Sequence, residues 1–179
     1  MRQAGKGRER MKGYKRYNPA SFKKKVDVET DPYLPRGGPG EPVVCRGCRA
    51  VCARKRWRID EAAYAKLLRA RTARQISCPA CQKIRDRYPS GQVTLTGPFL
   101  AEHRDEILRI IANEERRARE KNPLERIMSL SEEDGRLEIT TTNEKLAQRI
   151  GRELRKACGG TVTYGWSHNN KFLRVRWEH

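Results

Sequence analysis

The chain has 179 residues, with 40 Lys and Arg against 22 Asp and Glu, six Cys and three His, for a formal charge of +18. That length allows one medium domain or two small ones, and no run approaches the roughly 18 apolar residues of a membrane span. Hydrophobic residues at 36% barely exceed charged residues at 35%, so part of the chain is expected to pack no core.

The opening residues, MRQAGKGRERMKGYKRY, lack the apolar stretch of a secretory signal, and a cytoplasmic protein in a reducing compartment is expected. Residues 1–25 carry ten Lys and Arg and one acid, and residues 41–90 carry thirteen and four. Residues 91–179 are nearly balanced, with sixteen bases and fourteen acids. Two basic blocks beside a near-neutral module have the form of an electrostatic footprint for a polyanion, whereas a solubilising charge would be spread evenly.

Residues 1–42 read as a basic arm followed by a Pro/Gly linker. In the arm, Lys12, Lys15, Arg16, Lys23, Lys24 and Lys25 are interleaved with Tyr14, Tyr17 and Phe22, without any apolar periodicity. The arm is expected to be disordered when free. Aromatic rings among cations suit RNA, where rings stack on bases and cations meet phosphates; a solubility tail or localisation signal is the plainer alternative. Asp31-Pro32-Tyr33-Leu34-Pro35 and the glycines that follow form the extended linker.

Residues 43–97 are expected to form a small zinc module, of zinc-ribbon or treble-clef type. A strand over Ala50–Trp57 leaves a first cysteine pair. Asp60 caps a helix over about 61–74, with Leu67 and Leu68 on its apolar side. A second pair opens a short basic helix to Tyr88, Pro89-Ser90-Gly91 stops it, and Gln92–Thr96 reads as a strand.

Residues 98–179 read as an α-ββ-α-ββ module with a four-stranded antiparallel sheet, giving an α+β chain overall. A long helix over Pro98–Asn122 presents Leu100, Ile107, Ile110 and Ile111, and His103 is expected on its polar side. Strands over 126–134 and 136–142 flank Asp134-Gly135, a hairpin signal. Asn143 caps a helix burying Leu146, Ala147, Ile150, Leu154 and Ala157, and Gly159-Gly160 ends it. Two closing strands place Val162, Tyr164 and Trp166 on one face, and Leu173, Val175 and Trp177 on another, with Asn169-Asn170 turning between them. The three aromatics of these strands are expected in the core.

Cys45-Arg-Gly-Cys48 and Cys78-Pro-Ala-Cys81 supply four soft donors in two tight turns, the pattern of a tetrahedral thiolate site for Zn²⁺, with iron–sulfur ligation as the lesser alternative. Arg49 and Lys83 are placed to offset the thiolate charge. A redox Cys-x-x-Cys needs one pair beside a βαβ pattern, and a disulfide framework conflicts with the missing signal sequence. A catalytic zinc keeps an open position and draws on His or carboxylate; His103, His168 and His179 all follow the cysteines, and none forms a hydrolase or deaminase motif. No catalytic residue is assigned. Cys52 is expected to pack in a strand rather than compete as a fifth donor, and Cys158 to be a buried thiol.

Closing the metal site would draw together Arg46, Arg49, Arg54, Lys55, Arg56 and Arg58 around the first pair. Arg69, Arg71 and Arg74 end the intervening helix, and Lys83, Arg85 and Arg87 follow the second pair. Such a surface binds phosphates by charge and counterion release. No helix-turn-helix, C2H2 recognition helix or RRM motif accompanies it, so backbone and shape recognition are expected rather than base readout.

The stretch CPACQKIRDRYPSGQVTLTGPFLAEHRDEIL, with NEERRARE, PLERIM and DGRLEITTTNEKLAQRIGREL, resembles a family of small bacterial zinc proteins of poorly defined function over about residues 75–179. That family is in turn remotely similar to the zinc-binding and following α/β module of the archaeal and eukaryotic large-ribosomal-subunit export adaptor. The resemblance implies ribosome or ribosomal-RNA binding, with Cys45, Cys48, Cys78 and Cys81 in the positions of zinc ligands. The adaptor has more ligand pairs and later domains without counterpart here, so nuclear export is not implied. The expectation is a non-enzymatic zinc protein bound to ribosomal or other structured RNA and to ribosomal proteins, acting in assembly, hibernation or quality control. A DNA-binding zinc protein is the second reading and a nuclease the third; no membrane or small-molecule partner is expected.

Overall fold

Two β-sheets and five helices make up the described part of the chain. The computed structural model describes residues 31–34, 42–71, 73–167 and 172–179. The basic arm with Lys12, Lys15, Arg16, Lys23, Lys24 and Lys25, most of the linker, and the turn at Asn169-Asn170 lie outside the described residues.

The first sheet holds four strands of three residues each: β1 (Val43–Cys45), β2 (Val51–Ala53), β3 (Arg56–Arg58) and β4 (Arg74–Ile76), in the order β3-β2-β1-β4. The single strand expected over Ala50–Trp57 is instead a tight hairpin. Arg54 and Lys55 both take left-handed backbone (φ 51° and 64°), which matches the twist of the strands they join. Helix α1 (Glu61–Arg69) starts where Asp60 caps it, its carboxylate accepting from the Ala63 N–H at 2.8 Å. The helix was expected to reach residue 74 but stops at Arg69. Arg71 turns left-handed (φ 50°), and Arg74–Ile76 pairs in parallel with β1, so tertiary pairing takes over these backbone groups.

The second sheet has five strands in the order β6-β7-β5-β9-β8. Strand β5 (Gly91–Thr96) lies at its centre, antiparallel to β7 and parallel to β9. Sequence assigns this strand to the zinc module and a four-stranded antiparallel sheet to the rest; the structure hydrogen-bonds it into the second sheet as the fifth strand. The physical reason is Val93 and Leu95, which are wholly buried in the larger core.

The expected α-ββ-α-ββ order follows. The long helix is broken into α3 (Pro98–Glu102) and α4 (Arg104–Lys121) at His103, whose ring stacks on Phe99 at 3.9 Å between centroids. Strands β6 (Ile127–Glu133) and β7 (Arg136–Thr141) close at Asp134-Gly135 as a hairpin. Asn143 caps α5 (Glu144–Cys158) by accepting from the Lys145 N–H at 2.7 Å. Leu146, Ala147, Ile150 and Leu154 are buried as the periodicity requires, but Ala157 is exposed. A Cβ on Gly151 would stand 2.6 Å from Val175 Cγ1, so this glycine lets α5 approach the sheet closely.

Strands β8 (Thr161–Trp166) and β9 (Leu173–Glu178) complete the sheet. Trp177 is wholly buried and its indole N–H donates to the Gly159 carbonyl at 2.9 Å. Tyr164 and Trp166, also expected in the core, are exposed because β8 is an edge strand with a neighbour on one side only. No described helix is long and apolar enough to cross a membrane.

Candidate metal centre

Cys45 ends β1, and the turn of residues 46–48 folds back so that the Arg49 N–H donates to the Cys45 carbonyl at 3.0 Å. A Cβ on Gly47 would come within 3.1 Å of Cys81 Sγ, a tight contact that shows how closely the turn faces the second pair. The second pair sits at the start of α2 (Pro79–Arg85). Cys78 is its N-cap, with Sγ accepting from the Cys81 N–H at 3.4 Å, and Pro79 occupies the first turn, where no N–H is needed. Knuckle, hairpin and helix N-terminus together follow the treble-clef arrangement.

The four sulfurs lie within 4.8 Å of one another. Cys45 and Cys81 are 3.7 Å apart, and Cys48 and Cys78 3.6 Å. A metal–sulfur distance of about 2.3 Å places tetrahedral sulfurs about 3.8 Å apart, so these four cysteines can hold a metal ion. The spacing is that of donors to one ion, and is too small for a multinuclear cluster. The Gly47 and Cys78 N–H groups point at Cys45 Sγ, at 3.4 and 3.2 Å, and favour a thiolate there.

The thiols oppose one another's ionisation. Hydrogen bonds from Cys48 and Cys78 pull the Cys45 thiol well below its ordinary value, while hydrogen bonding to Cys45 pushes Cys78 up. Burial, with the charges of Cys48 and Cys45, pushes Cys81 up to about 11. A divalent cation reverses this opposition, because it compensates all the thiolates together.

Cys52 lies apart from the four, buried in β2, where burial raises its thiol. It packs, as expected. Cys158 is only half-buried against the larger core.

Of the cations expected beside the metal, Arg46, Arg49, Arg54, Lys55, Arg56, Arg58, Arg69, Arg71, Arg74, Arg85 and Arg87 are all exposed. Arg56 and Arg58 lie on one edge of the first sheet and Arg74 on the other. Lys83, expected among these surface cations, is buried instead. It is 4% exposed, and its ammonium donates to Asp31 at 2.5 Å, Ser90 at 2.8 Å and the Thr142 carbonyl at 3.1 Å. With three internal acceptors it is neither a phosphate contact nor a partner of the thiols. It ties α2 to the second sheet and to Asp31, and Tyr33 reinforces that tie by donating to Asp86 at 3.1 Å.

The cation that does reach a thiol is Arg126, which sequence reasoning missed. It follows α4, and its Nη1 donates to Cys81 Sγ at 3.5 Å. Thr142 anchors it, accepting from the Arg126 N–H at 2.9 Å and donating to the Leu124 carbonyl at 2.6 Å. A separation of 45 residues from Cys81 left no local signal for this contact. No protein-family model, curated protein or solved structure matches the chain.

Proposed function

We propose that this is a zinc protein without catalytic activity that binds structured RNA, and that it acts as a ribosome-associated factor. The observation that carries the reading is the four-thiol cage on a scaffold of very short elements that also carries eleven exposed Arg and Lys side chains. Cys45, Cys48, Cys78 and Cys81 would hold the ion. Zinc favours such a closed thiolate set, and four protein ligands leave no open position, so the ion's contribution is structural. The folded module would then present its cations in fixed relation to one another, and phosphates would be gripped by charge.

Elemental analysis of purified protein should return one zinc per chain, and iron would overturn the metal assignment. Protein incubated with ribosomes should co-sediment with them at low salt and dissociate steeply as salt rises. About eight phosphate contacts give a log–log salt slope of about −6 to −7. Absence from ribosomal fractions at low salt overturns the ribosomal assignment, and preference for duplex DNA over ribosomal RNA at matched salt overturns the choice of nucleic acid.

A further inference from the structure

A groove of about 650 Å³ opens beside the metal centre, where Pro79, between the two ligands of the second pair, forms part of its wall. This volume falls in the range of about 300–1,000 Å³ that small ligands occupy. Its lining combines Lys55, Arg56 and Arg58 from the β2–β3 hairpin with Lys121 from the end of α4. No carboxylate is among the described residues that line it, and none of these four cations is ion-paired among the described residues.

Between the hairpin cations lies Trp57, half-buried, which packs against the small core containing Cys45 and Cys78. Trp57 is held in one cross-strand row with Cys52 and, beyond it, Val43, so its ring is positioned by the same sheet that carries Cys45. Tyr33, fixed by its bond to Asp86, adds a second aromatic wall. An indole among uncompensated cations combines the two parts of single-strand recognition: a surface for the base and charges for the phosphates.

We propose that this groove receives an unpaired nucleotide of the bound RNA, its base against Trp57 and its phosphates between the hairpin cations and Lys121. The proposal rests on the RNA reading above and adds to it a site selective for single-stranded RNA. Backbone charge alone would favour the duplex, whose phosphates are denser, whereas an aromatic ring in a groove reaches only a base that is out of its stack. An acidic peptide would satisfy the cations but leave the face of the indole without a matching partner.

The test uses the full metal-loaded chain, an unstructured oligouridylate, and a fully paired RNA duplex with the same number of phosphates. Trp57→Ala should weaken the oligouridylate on the order of 10- to 100-fold, Trp57→Phe less, and duplex binding by under about three-fold. Metal content should be unchanged in both variants. Equal loss on the two RNAs, or none on either, overturns the groove while leaving RNA binding standing. A wild-type chain that binds neither RNA overturns the underlying reading instead. Should Trp57→Ala lose its metal, Lys121→Ala decides. It should flatten the oligouridylate salt slope by about 0.7, and an unchanged slope overturns the proposal. Polyglutamate that displaces oligouridylate in a Trp57-dependent manner also overturns it, in favour of an acidic protein segment.

Discussion

The two halves of this molecule are stabilised by different means. Around the cysteines the buried residues are Cys45, Ala50, Cys78 and Ala80 with Val43, Val44, Val51 and Cys52 of β1 and β2, on strands of three residues, and α1 buries no residue completely. The second sheet and its helices bury fifteen residues, mainly Leu, Ile, Val and Trp177. Each large aliphatic side chain contributes about 1.5–3 kcal/mol when removed from water, so burial stabilises the larger region far more than the smaller one, whose buried aliphatics are three valines. The proposed metal supplies the difference. A small core of valines, alanines and cysteines thus carries a highly charged surface beside a much larger aliphatic core.

The largest expected effect comes from removing the metal. Structural zinc contributes about 10–16 kcal/mol in small finger peptides, so chelation or Cys78→Ser should abolish amide-exchange protection across β1–β4. Protection across β5–β9 should persist. Unchanged protection in β1–β4 would show that the small core stands without metal. Loading should release protons at neutral pH, because Cys81 is held at about 11 before the ion binds, and affinity should fall as pH falls.

Trp177→Ala should produce the opposite pattern, destabilising the larger region by about 3–5 kcal/mol in denaturant unfolding while metal content stays the same. Loss of metal in that variant would mean the two regions fold as one unit.

Lys83→Met tests the connection between them. Removing one partner of a buried ion pair costs about 3 kcal/mol or more, and here it should destabilise α2 and loosen the docking of Asp31 and Tyr33. The perturbed amide shifts should appear in both regions; a change confined to α2 would contradict the bridging role.

Gly151→Ala should cost about 1–3 kcal/mol, since the new methyl must displace Val175. An effect near zero would show that α5 can lift from the sheet freely.

Much of this architecture is legible without coordinates where the signal is local. Asp60 and Asn143 cap their helices because a short acceptor precedes an amphipathic run. Asp134-Gly135 turns a hairpin because both residues tolerate left-handed backbone. The α5 stripe follows from the helical period, except at Ala157, where the helix end leaves its cover. The clustering of the four cysteines is legible because a gap of two residues aims both sulfurs of a pair into one turn. The misreadings share a different origin. Strand β5 has the same alternation in either sheet, and only its partners β7 and β9 decide which sheet it joins. Arg74 falls at the end of the helix that the sequence suggests, but pairing with β1 takes its backbone. Tyr164 and Trp166 have core composition on a strand whose edge position no local pattern reveals.

By itself the sequence determined the donor set, the main helix caps, the hairpin at Asp134 and the concentration of cations in the first half, all set by bonds and dihedrals a few residues apart. Tertiary structure alone decided that Lys83 is an internal strut, that Arg126 reaches Cys81, and that Trp57 and Lys121 line one groove. Those outcomes depend on which distant backbone segments pair and on how much water each side chain then keeps.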